Sequence, residues 1–114
     1  MLVVDDNADM RELLLGAFAS IAEVFEAADG PAALGQIKAH KPQLMLLDVS
    51  MPEMSGLAVL EAARALDPTL VVVMLTGESD LGVAKKALDL GARSFITKPF
   101  DVEVVLDELR RLLK

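Results

Sequence analysis

The sequence predicts an α/β fold, a doubly wound parallel sheet with helices on both faces, and three observations carry that prediction. Five short apolar segments, near Leu2–Val4, Glu23–Ala27, Leu44–Leu47, Leu70–Leu75 and Ser94–Thr97, alternate with five stretches whose apolar residues recur at helical spacing. Such alternation is the pattern of parallel strands joined by right-handed helical crossovers. Two of the segments, Leu44–Leu47 and Leu70–Leu75, are apolar without interruption, as strands covered on both faces must be. Proline, glycine and Asx residues punctuate the junctions, as at Asp29-Gly30-Pro31, Pro42, Asp67-Pro68, Gly91 and Pro99.

Each element has its own justification. Leu2-Val3-Val4 runs into Asp5-Asp6-Asn7, after which Met10, Leu13, Leu14, Ala17 and Phe18 share one helical face. Helix capping accounts for one of the three polar residues at that junction. Two adjacent acids at a strand end repel each other unless a cation or a basic side chain offsets them. Glu23-Val24-Phe25-Glu26-Ala27 alternates like an edge strand, and a second helix begins near Pro31, with Leu34 and Ile37 facing the core. His40, the only histidine, falls in the polar, proline-terminated end of that helix, which reads as helix-end decoration rather than a catalytic base.

The third strand drives Leu44-Met45-Leu46-Leu47 into a lone carboxylate, Asp48, and then into the loop Met51-Pro52-Glu53-Met54-Ser55-Gly56. Met51 and Met54 read as packing residues, because thioethers select soft metals and the surrounding donors are oxygens. Leu57, Leu60, Ala63 and Leu66 make the third helix. The strand Leu70–Leu75 ends at Thr76-Gly77-Glu78-Ser79, where Ser79 is the natural cap of a fourth helix carrying Leu81, Ala84, Lys85 and Leu88 up to Gly91. Ser94–Thr97 ends at Lys98-Pro99-Phe100, and Asp101 opens a last helix with Val102, Val105, Leu106, Leu109 and Leu113 inward.

Length and composition bound what such a domain does. The 114 residues make one domain, residues 1–114, burying roughly two thirds of the unfolded surface. With 54% apolar and 25% charged residues, the chain has a globular composition, and no apolar run approaches the ~18 residues of a membrane span. No membrane partner is expected, and without a signal-peptide pattern the expected location is cytoplasmic. The absence of cysteine excludes disulfides and thiolate metal sites. A net charge of −7 argues against direct nucleic-acid binding, which needs a basic face.

The strand ends then form a pattern. In a parallel sheet the carboxyl ends of the strands lie along one edge, where ligands collect. Asp5 and Asp6, Asp48, Thr76 and Lys98 all follow strands, so they gather at that edge. Three carboxylates with a hydroxyl and a lysine suit metal-assisted phosphoryl transfer. All-oxygen ligation points to Mg²⁺, with Asp5 and Asp6 holding the ion and Asp48 as the nucleophile that would form an aspartyl phosphate. Thr76 and Lys98 would meet the charge on the phosphoryl oxygens.

These same residues resemble a known family. Val3-Val4-Asp5-Asp6-Asn7, Leu46-Leu47-Asp48 through Gly56, Leu75-Thr76-Gly77 and Phe95-Ile96-Thr97-Lys98-Pro99-Phe100 are similar, in order and spacing, to motifs of the response regulator receiver domain. The resemblance spans nearly the whole chain. It implies a flavodoxin-like sheet in 2-1-3-4-5 order. It also implies that Asp48 is the phosphoacceptor, served by a histidine kinase or histidine phosphotransfer protein. Asp6, Asp48 and the backbone carbonyl of Ser50 would ligate Mg²⁺, with Asp5 acting mainly through water. Thr76 and Lys98 would bind phosphoryl oxygens. Phe95 would turn inward and reshape the surface of the fourth helix, fifth strand and fifth helix toward an output domain or protein. Phenylalanine stands at Phe95 where tyrosine is common in the family, so no hydroxyl takes part in that movement.

The expected function is therefore a phosphorylation-dependent signalling switch rather than an enzyme, with slow self-dephosphorylation. A phosphatase using an aspartyl phosphate would need a second acid two residues after the nucleophile, where Ser50 stands. An interaction-only receiver that takes no phosphate is the alternative, and the complete set Asp5, Asp6, Asp48, Thr76 and Lys98 weighs against it. The chain starts almost at its first strand and nothing follows its fifth helix, so no output domain is expected within it. On phosphorylation, altered self-association, a homodimer included, or altered partner binding is expected at the fourth and fifth helices.

Overall fold

The computed structural model describes residues 1–49, 51, 54–77 and 81–112, with Leu81 described by its backbone alone. Strands β1 (Leu2–Val4), β2 (Phe25–Ala27), β3 (Leu44–Asp48), β4 (Val71–Gly77) and β5 (Ser94–Lys98) alternate with helices. The helices are α1 (Ala8–Phe18), α2 (Gly30–His40), α3 (Gly56–Leu66), α4 (Leu81–Asp89) and α5 (Val102–Leu112). The strands form one sheet in the order β2-β1-β3-β4-β5 with every pairing parallel, the order that the resemblance implied. Parallel neighbours cannot be joined by tight turns, so a helix crosses over between each consecutive pair of strands.

Side-chain alternation splits the core in two. Leu2, Val4, Met45, Leu47, Val72 and Met74 pack against Ala33 and Ile37 of α2, Val59, Leu60 and Ala63 of α3, and Ala87 of α4. Their neighbours Val3, Leu44, Leu46, Val73 and Leu75 point the other way, onto Leu14 and Phe18 of α1 and Val105 and Leu109 of α5. Every residue of β3 is buried, which explains its lack of polar interruption. Each fully buried leucine contributes about 1.5–3 kcal/mol of transfer free energy. Met51 and Met54 pack partly buried against the α2–α4 layer, as expected.

Local signals set the helix ends. Asn7 accepts the N–H groups of Asp9 and Met10, Asp29 accepts that of Ala32, and Ser55 accepts that of Ala58. Gly91, following α4, has a φ of 109°, a conformation open to glycine and strained for other residues. The expected caps and contacts at Ser79 and Leu113 lie outside the described residues.

Three expected core positions need correction: Leu13, Leu66 and Leu88 are exposed, whereas Leu34 packs half-buried against the core. Leu13 lies about 100° around the helix from Leu14, and the larger pair Leu14 and Phe18 takes the sheet-facing stripe. In α4 the buried positions belong to alanines, Ala84 and Ala87, which let the helix axis approach the sheet and leave Leu88 turned aside.

Candidate functional site

The site is built at the carboxyl ends of the paired strands β1 and β3. The N–H of Asp5 donates to the carbonyl of Ala27 at 3.2 Å, continuing the β1–β2 ladder one residue beyond the strand. Asp5 is only 1% exposed, while Asp6, next in the chain, faces solvent. The Asp5 carboxylate accepts the Asn7 N–H at 2.9 Å. Arg11, at the end of the first turn of α1, donates through Nη1 to the Asp5 carbonyl at 2.7 Å and through Nε to Glu26 Oε1 at 2.8 Å.

Asp48 ends β3, in register with Leu75, and is 5% exposed. The backbone just after it is held from two sides: Val49 N–H donates to the Leu75 carbonyl and Gly56 N–H donates to the Val49 carbonyl, each at 3.0 Å. Helix α3 thus starts against the strand end. A Cβ on Gly56 would stand 2.5 Å from the Asp48 carbonyl oxygen and 2.7 Å from Val49 Cα, so this approach requires glycine. Thr76 is 1% exposed near the end of β4, and its hydroxyl donates to the Gly77 carbonyl at 3.3 Å.

Lys98 ends β5 and reaches back across the sheet edge. Its Nζ lies 3.1 Å from Asp48 Oδ1 and 3.5 Å from Asp5 Oδ2. Burial pulls the ammonium pKa down, but attraction and hydrogen bonding from Asp48 and Asp5 outweigh it and leave Lys98 above its ordinary value. The Lys98–Pro99 peptide is cis.

Carboxylate oxygens of Asp5, Asp6 and Asp48 all lie within 4.8 Å of one another. One ammonium against three carboxylates leaves an excess of negative charge, and the donors are hard oxygens. The group therefore fits a cation such as Mg²⁺, which takes few carboxylates and keeps waters. Ser50, whose carbonyl the resemblance adds to this set, lies outside the described residues.

The remaining expected residues sit apart. Phe95, on β5 opposite Met74, is half-buried against the α2–α4 layer and lines a groove of about 380 Å³ with Pro99, Phe100, Val104 and Glu108. His40 is exposed and stacks on Phe25, with ring centroids 3.8 Å apart. Because Phe25 starts β2, His40 lies toward the opposite edge from the acids. Arg11 and the role of Gly56 were not anticipated. A cue for Arg11 exists: a basic residue in a helix's first turn opposes the macrodipole, and here it follows two acids.

Fold and site together define a class: a flavodoxin-like protein whose polar strand ends converge at the switch point between β1 and β3. The chain belongs to the response regulator receiver domain family, whose model matches residues 1–110. It is 34% identical over 116 residues to chemotaxis protein CheY of Listeria monocytogenes, covering 100% of this chain and 98% of that protein. It is 32% identical over 114 residues to sporulation initiation phosphotransferase F of Bacillus subtilis, covering 99% and 92% respectively. Among solved structures, the receiver domain of NtrX from Brucella abortus superposes with a TM-score of 0.92 at 34% identity, over 96% of this chain and 94% of that one.

Proposed function

We propose that residues 1–114 act as a phosphorylation-dependent switch in which Asp48 accepts a phosphoryl group from a histidine kinase or histidine phosphotransfer protein. The observation that carries this reading is Lys98 Nζ standing 3.1 Å from Asp48 and 3.5 Å from Asp5, although 50 and 93 residues separate them in sequence. A carboxylate buried at a strand end beside a fixed ammonium is placed to attack phosphorus. The phosphorus–nitrogen bond of a phosphohistidine breaks as the bond to the Asp48 oxygen forms, and the electron pair leaves with the imidazole.

Asp6 and Asp48, with the Ser50 carbonyl, would hold Mg²⁺, and Asp5 would act mainly through water. Asp5's engagement with Lys98 and the Asn7 N–H supports that indirect role. Bound Mg²⁺ supplies positive charge where phosphoryl oxygens crowd the carboxylates. Lys98 then transfers its attraction from the Asp48 oxygen to a phosphoryl oxygen, and the Thr76 hydroxyl leaves the Gly77 carbonyl to bind another. Movement of Thr76 on β4 makes room for Phe95 to turn inward, which changes the α4–β5–α5 surface offered to an output domain, a protein partner or a second copy of the chain. Such a module is a cytoplasmic switch and no metabolic enzyme, and it loses its phosphate by slow self-hydrolysis.

The test is intact-mass spectrometry after incubation with Mg²⁺ and acetyl phosphate. One phosphoryl adduct on the wild type, absent from Asp48→Asn and from metal-free samples, is expected. A folded protein that gains no adduct under any condition would instead be an interaction-only module.

A further inference from the structure

We propose that Arg11 is a positioning residue that sets the peptide between the two acids and thereby tunes cation affinity. The inference rests on the function proposed above for the acidic site. Its basis is the unusual way in which Arg11 spends its donors. A guanidinium that reaches the backbone of Asp5 would be expected to pair with the carboxylate of that residue. Arg11 instead donates Nη1 to the backbone carbonyl of Asp5 at 2.7 Å, and Nε to the carboxylate of Glu26 on β2 at 2.8 Å. The Asp5 and Asp6 carboxylates thus lose no oxygen to it.

The consequence is geometric. The Asp5 carbonyl belongs to the same planar peptide unit as the Asp6 N–H, so fixing that oxygen fixes the plane from which Asp6 departs. The N–H of Asp5 is tied to the Ala27 carbonyl at 3.2 Å and its carboxylate to the Asn7 N–H at 2.9 Å. Arg11 supplies the remaining constraint and anchors it to a second strand. Glu26 is in turn steadied by Gln36 of α2, whose Nε2 donates to its carbonyl at 3.1 Å. The clamp therefore runs from α2 through β2 and α1 to the peptide linking the acids. Arg11 itself is only 15% exposed, whereas Glu26 is 50% exposed. The fork geometry matters: two nitrogens of one plane reach two acceptors, which the single point of a lysine ammonium does not reproduce.

The test exploits the sign of the electrostatics. Arg11 is a positive charge near a cation site, so if it were a bystander its removal would leave Mg²⁺ affinity unchanged or make it tighter. A positioning role predicts the reverse. Mg²⁺ affinity would be measured by calorimetry or amide NMR shifts, well below the melting temperature, on wild type, Arg11→Gln and Arg11→Lys. Supporting groups behind metal ligands typically change affinity about 10–100-fold, so a loss of about tenfold is expected for Arg11→Gln. A smaller loss is expected for Arg11→Lys, which keeps the charge and loses the fork. Arg11→Lys also serves if Arg11→Gln fails to fold. Equal or tighter binding in a folded variant, beside a wild type that binds Mg²⁺, overturns the role of Arg11 and leaves the proposed function standing. A wild type that binds no Mg²⁺ overturns that function and this inference with it.

Discussion

Replacing Gly56 by alanine tests whether the approach of α3 to the end of β3 sets the position of Asp48. The added Cβ would lie 2.5 Å from the Asp48 carbonyl oxygen, 2.7 Å from Val49 Cα and 2.9 Å from the Val49 carbonyl oxygen. All three neighbours are backbone, so no rotamer change relieves the overlap, and either α3 or the strand end must move. Overpacking of this kind costs about 1–3 kcal/mol. Alanine recovers at most about 1 kcal/mol through helix propensity. Gly56 is the first residue of α3, where little of that interior value is recovered, so the net expectation is a loss of about 1–3 kcal/mol, and on the order of 4 °C in melting temperature for each kcal/mol. Because the strand end carries Asp48, slower phosphoryl uptake should accompany the loss of stability. The control is the same substitution at Gly16 in α1 or Gly35 in α2, where a Cβ meets nothing within 4 Å. There alanine should stabilise by about 0.5–1 kcal/mol. Thermal melts by circular dichroism, with mass-detected uptake rates, decide the matter. A Gly56→Ala protein as stable and as reactive as wild type would refute the argument from close approach.

Two further outcomes follow from the charges at the sheet edge. Lys98 has a raised folded-state pKa, so its ion pairs stabilise fully below the unfolded value of 10.5, and that contribution is lost as pH rises through the folded value. The stability advantage of wild type over Lys98→Met, measured by denaturant titration without metal from neutral pH upward, should stay flat at first and shrink in the alkaline range. An advantage that fades near neutrality would contradict the assignment. Asp6→Asn removes one of three crowded carboxylates at an exposed position, so the metal-free protein should be as stable as wild type or up to about 1 kcal/mol more stable. The same change should abolish the stabilisation by Mg²⁺, which for wild type is about 2.7 kcal/mol at a hundred times Kd. Undiminished Mg²⁺ stabilisation in Asp6→Asn would remove that residue from the ligand set.

Period and punctuation in the sequence determined the elements of this protein, because both are short-range properties of the chain. A run such as Leu44–Leu47 has to be covered on both faces. Asn7, Asp29, Ser55 and Gly91 mark boundaries that the folded chain uses. The convergence of Asp5, Asp6, Asp48, Thr76 and Lys98 was also legible, since parallel strands deliver all their carboxyl ends to one edge. The sheet order itself came from the resemblance of the motifs rather than from periodicity.

Tertiary structure alone decided which partner each group takes. It buried Asp5 and left Asp6 exposed, although the two are adjacent and chemically identical. It turned Leu13 outward and Leu14 inward, and gave the sheet-facing positions of α4 to alanines. It sent Lys98 to Asp48 and Asp5, and Arg11 to the Asp5 carbonyl and the Glu26 carboxylate rather than to the Asp5 carboxylate. Such choices rest on differences of an ångström between atoms that the fold brings together from distant parts of the chain. A one-dimensional pattern states which residues share an edge, but the distances across that edge exist only once the helices have packed.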